Sequence, residues 1–108
     1  MKKKTEISPF ELDTWERVRN DPEFASAFFE DLSERPISVQ LTILRRLRGL
    51  SQEKVAARLH RKQNYISKLE KAGEDHLISQ YEKVAKFLHA RLAFIPEETK
   101  LTAINASR

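Results

Sequence analysis

The chain has 108 residues, for which one domain is the expectation, and it lacks cysteine, which excludes disulfides and thiolate metal sites. No apolar run approaches the ~20 residues of a spanning helix, and no apolar signal region follows Met1-Lys2-Lys3-Lys4, so a soluble cytoplasmic protein with no membrane contact is expected. The net charge of +4 hides a split: residues 5–34 hold nine acids and two bases, residues 45–71 nine bases and two acids, which predicts two surfaces with different partners.

With only two glycines, Gly49 and Gly73, the chain reads as all-α, because sheets need more turn glycines. Ser8-Pro9-Phe10-Glu11 predicts a helix start, with serine as cap, proline in the first turn and glutamate closing a capping box. A short helix then runs through Trp15 and Val18. Asn20-Asp21-Pro22 repeats the cap-then-proline logic, and Phe24, Phe28 and Leu32 form one helical stripe that Pro36 ends. Val39, Ile43, Leu44 and Leu47 make the next stripe, stopped by Gly49. Ser51 caps a helix that turns Val55, Ala56 and Leu59 inward, with Leu50 and Val55 as a hydrophobic staple. After the basic connector His60-Arg61-Lys62, Ile66 and Leu69 give the inner face of a short helix. A further helix carries Leu77, Ile78, Tyr81, Val84, Ala85 and Leu88, and residues 91–95 before Pro96 predict a short strand.

Two short helices joined by a tight connector form a helix-turn-helix pattern, whose second helix enters the major groove of DNA. Its outer face carries Gln63, Asn64, Ser67 and Lys68. Gln and Asn pair bidentately with adenine and Lys contacts guanine, with Lys68 reading as either a base or a phosphate contact. Arg61, Lys62 and Lys71 bracket this face and would neutralise phosphates, and Ser51 and Gln52 sit at a helix start whose amides favour one. Tyr65 reads equally as a backbone contact or as packing against the first helix. Arg45, Arg46 and Arg48 read as a solvated face from which at least one reaches a phosphate. His60, His76 and His89 stand apart with no carboxylate at ligand spacing, and no glycine-rich phosphate loop occurs, so no metal, cofactor or catalytic role is expected.

The stretches LSQEKVAARL and NYISKLEKA resemble the helix-turn-helix domain of the Xre/Cro/C1-repressor family over roughly residues 37–90. The resemblance implies a five-helix bundle of the lambda-repressor-like type, extended by an N-terminal helix and a short C-terminal strand. It implies a phosphate contact for Gln52 and base contacts for Gln63, Asn64 and Lys68, and gives Glu70 an internal structural role. The connector departs from the family. His60, Arg61 and Lys62 stand where glycine, an apolar residue and a Ser or Thr cap are usual, and losing that cap costs about 1 kcal/mol.

NDPEFASAFFEDL and RLAFIP further resemble HigA-type antitoxins, which bind a small ribonuclease toxin and repress the operon the two share. This divides the chain into a toxin-binding extension at 1–36, the DNA-binding domain at 37–90, and a strand and tail at 91–108. An acidic segment bearing Trp15, Phe24, Phe28 and Phe29 suits a small basic toxin, with Phe28 and Trp15 assigned to the domain's own core and Glu23, Glu30, Asp31 and Glu34 to the toxin side. The alternative is a free-standing Xre-type regulator with no toxin. Readers of palindromic operators act as dimers on half-sites about 34 Å apart. A homodimer through Leu92, Phe94 and Ile95 is therefore expected, with the helix at 81–88 as the other candidate face.

Overall fold

The structure, a computed structural model, describes residues 9–96. Six helices follow one another: α1 (Pro9–Asn20), α2 (Pro22–Leu32), α3 (Ile37–Leu47), α4 (Gln52–Arg58), α5 (Gln63–Leu69) and α6 (Ile78–Phe87). The fold is all-helical, with no strand among the described residues. The Ser8 cap lies outside them.

Local signals set most helix ends. Asp21 accepts a 3.1 Å hydrogen bond from the Phe24 amide, and Pro22 fills the first turn of α2. After α2, Gln40 donates to the Arg35 carbonyl at 2.8 Å, tying the Ser33–Arg35 turn to α3. Gly49 takes φ +73°, and the amides of Gly49 and Leu50 return to the carbonyls of Arg46 and Arg45. That is a Schellman closure, which glycine adopts without strain.

The core joins α3 to α6. Leu41, Val55, Ala56, Ile66, Leu69, Tyr81, Val84 and Leu88 pack together, and Ile37, Leu44, Leu50, Leu59, Tyr65, Phe87 and Leu92 close around them. Burial raises the Tyr81 phenol above its ordinary value, and the Asp75 and Glu74 carboxylates add to the rise, so the ring stays neutral among its apolar neighbours. Outside this cluster, Trp15, Leu32 and Leu47 are also buried. Trp15 meets Phe28 edge to face at 5.8 Å, and Phe28 meets Phe29 likewise at 5.3 Å. Phe28, expected inside, is only half-buried.

Three further expectations change. The buried face of α3 is Ser38, Leu41, Arg45 and Leu47, whereas Val39 and Ile43 are half-buried. The apolar stripe pointed elsewhere because Arg45 finds an anionic partner inside. Leu77 and Ile78 open α6 but stand exposed, because the inner face of that helix begins at Tyr81. Finally, residues 91–95 form no strand. No second extended segment among the described residues offers a ladder, so Leu92 packs onto the core as irregular chain while Phe94 and Ile95 stay exposed.

Candidate nucleic-acid interface

The helices α4 and α5 pack closely on one another through the buried faces of Val55, Ala56, Ile66 and Leu69. Ser51 caps α4 by accepting a 3.0 Å bond from the Lys54 amide, as the sequence predicts. Lys62 precedes α5 with an extended backbone and provides no side-chain cap, so α5 begins at Gln63.

The connector closes as a second Schellman turn. The amides of His60 and Arg61 return to the carbonyls of Ala57 and Ala56, and His60 takes φ +59°. A β-carbon in the left-handed region is disfavoured by roughly 1–2 kcal/mol, partly offset by the lower entropy of the unfolded chain relative to glycine. His60→Gly is therefore expected to stabilise the fold by about 0.5–1 kcal/mol, read as a higher urea midpoint with unchanged slope. A fall in the midpoint would mean that the imidazole makes a contact worth more than the strain.

Beneath the two helices lies a buried polar network. The Arg45 guanidinium grips Glu70 with both arms, Nε to Oε2 at 2.7 Å and Nη2 to Oε1 at 3.0 Å, and its third nitrogen reaches the Leu50 carbonyl at 2.7 Å. Their side chains are only 8% and 3% exposed. Thr42 Oγ1 lies 3.1 Å from Glu70 Oε1, and Gln52 donates to the same oxygen at 2.9 Å. Gln52 in turn accepts from Gln63 Nε2 at 3.0 Å. Glu70 thus has the internal role the resemblance implies, and Gln52 and Gln63 are drawn into one chain of bonds ending at the start of α5.

The outer face of α5 exposes Asn64, Ser67 and Lys68 to solvent, with Gln63 half-exposed beside them. Arg61, Lys62 and Lys71 are exposed around that face, and Ser51 and Gln52 are half-buried at the start of α4. Lys71 lies 3.7 Å from Glu74, in an exposed pair that contributes little. Tyr65 is half-buried against the core with the Arg61 guanidinium over its ring at 4.8 Å. His76 Nε2 lies 3.0 Å from the Lys68 carbonyl, binding the next loop to the last turn of α5. Lys54 and Arg58, exposed on α4, are cations the sequence reading did not single out.

Of the three arginines at the end of α3, Arg45 and Arg46 do not stand on the expected solvated face, whereas Arg48, which caps the helix, is exposed. Arg45 is interior, Arg46 pairs with Glu11 of α1, and Arg48 donates to the Leu88 carbonyl at 2.9 Å. They fasten α3 to its neighbours. Among the described residues, no cluster of three or more potential metal ligands occurs, and no helix is long and apolar enough to cross a membrane.

A family model described as a helix-turn-helix domain matches residues 37–94, more than half of the chain. The match runs past the expected boundary at residue 90 and takes in Leu92 and Phe94. No characterised protein and no solved structure matches the chain.

Proposed function

The chain belongs to the helix-turn-helix domain family, and from that membership we propose that it is a sequence-specific repressor of the Xre type that acts as the antitoxin of a toxin–antitoxin pair and represses their shared operon. The observation that carries the DNA reading is the division of α5. Its Ile66 and Leu69 are fully buried, while Asn64, Ser67 and Lys68 face solvent among unburied cations. In this reading α5 lies in the major groove. Gln63 and Asn64 meet adenine edges, Lys68 a guanine, and Ser67 an adjoining polar edge. Ser51, Gln52, Arg61, Lys62 and Lys71 hold phosphates, joined by Lys54, and Tyr65 steadies Arg61.

A gel shift on the gene's own upstream region, repeated across salt concentrations, tests it. Arg61→Ala and Lys71→Ala are each expected to weaken binding on all sequences alike and to reduce the slope of log affinity against log salt by about 0.9. No shift of that DNA at any salt concentration would leave a helix-turn-helix scaffold that does not read DNA.

The antitoxin reading is supported by the α1–α2 hairpin. Glu23, Glu30, Asp31 and Glu34 are all exposed on or just after α2, beside the partly exposed Phe29, and Leu12 is exposed on α1. Charge of this sign with apolar anchors complements a small basic ribonuclease. Residues 1–36 would then be the toxin-binding extension, 37–90 the DNA-binding unit and 91–108 the region of homodimer contact. Co-purification from native cells followed by mass analysis should recover a small basic protein. Its absence, with an unrelated neighbouring gene, would leave the free-standing Xre-type regulator.

A further inference from the structure

Resting on the homodimer proposed above, we infer that two copies of this chain lock together by exchanging Phe94: the ring of each copy seats in the apolar groove of the other. The groove lies between α2, α3, α6 and the segment after α6, and encloses about 230 Å³. Phe29 comes from α2, Ile37 and Leu44 from α3, Ala85 from α6, and Leu92 and Ile95 from the following segment. A cavity of about 150 Å³ lined by Leu, Ile and Phe holds a benzene ring, so this one has room for a phenyl group.

The same segment presents the matching knob. Leu92 and Ile95 turn toward their own groove, whereas Phe94 does not line it and is 104% exposed, the most exposed large apolar side chain described. A lone exposed aromatic is ordinary. An exposed aromatic at the lip of an apolar groove that is open among the described residues is both halves of one contact on a single surface. A two-fold interface requires this arrangement, because each patch must complement itself. The competing face on α6 is less suitable. Its apolar side is consumed within the chain by Tyr81, Val84, Ala85 and Leu88, and it shows solvent Glu82, Lys83 and Lys86. Charges of this kind are depleted from interface cores. The exchange also needs no strand pairing, which agrees with the irregular backbone of residues 91–95.

Analytical ultracentrifugation of the full chain, without DNA, tests the exchange using two variants. Phe94→Ala removes the knob, and because Phe94 is fully exposed its fold should be unchanged by circular dichroism. Ser33→Trp blocks the groove from its rim. Each variant's homodimer loses both exchanged contacts, so at roughly 30-fold per anchoring aromatic self-association is expected to weaken by roughly 1000-fold. An equimolar mixture of the two should associate more tightly than either alone, because the open groove of the first receives the intact Phe94 of the second. A monomeric wild type at micromolar concentration, a Phe94→Ala variant that dimerises as well as wild type, or a mixture no tighter than its components overturns the inference. A chain that dimerises as expected but fails to shift its upstream DNA overturns the DNA reading and leaves this one standing.

Discussion

Glu70→Ala is expected to cost the folded state about 3–5 kcal/mol, the usual loss when one partner of a buried ion pair is removed. The alanine would strand the Arg45 guanidinium in the interior, where its side chain is only 8% exposed. It would also remove the acceptor that serves Thr42 and Gln52. A small domain has only some 5–15 kcal/mol in total, so the variant should melt far below wild type or fail to fold at growth temperature. Urea unfolding gives the number. The pair is not, however, the best occupant of its site. Removing both charges together, as Arg45→Met with Glu70→Leu, should restore much of the loss, since apolar residues of similar volume replace such pairs at little or no cost. The double-mutant cycle should then show strong coupling. A single-variant loss under about 1 kcal/mol would mean that water reaches the pair and that it behaves as a surface bridge.

Gln63→Ala carries the second-largest expected effect, about 1–3 kcal/mol of operator affinity concentrated at one base pair. Its signature is selectivity. Against a series of operators differing at single positions, wild type should discriminate at the position Gln63 meets, and the alanine variant should bind all four bases there nearly alike. Because the Gln63 side chain is half-exposed and, among the described residues, bonded only to Gln52, stability should hardly move. If instead the loss were spread evenly over all sequences, as expected for Arg61→Ala, Gln63 would belong among the phosphate contacts.

Features readable from sequence were those whose cause lies within a few residues. The Asp21 and Ser51 caps each bond an amide three positions on, and the Gly49 turn closes over five. The inner faces of α4 and α5 follow from helical spacing of Val55, Ala56, Ile66 and Leu69, which all prove buried. The outward polar face of α5 is the complement of that spacing, so its exposure was legible too. Features set by distant partners were not. Arg45 reads as one more surface cation until Glu70, 25 residues away, is seen to hold it. Arg46 likewise meets Glu11 across 35 residues. The basic tally of residues 45–71 therefore overstated the charge presented outward. The strand expected at 91–95 failed for the same kind of reason, since a strand exists only where another backbone runs beside it.

The bonds joining Glu70, Gln52 and Gln63 have a direction. An ionised carboxylate has no proton to give, so the Gln52 amide must turn its nitrogen inward and its oxygen toward Gln63. Gln63 must then turn its own nitrogen back, which leaves its oxygen facing outward. An interior anion thereby dictates which atom the tip of α5 shows to its surroundings, and it does so in the free protein. Little rotational freedom remains to be surrendered when that oxygen meets a donor, so the encounter begins with part of its entropic cost already met by folding.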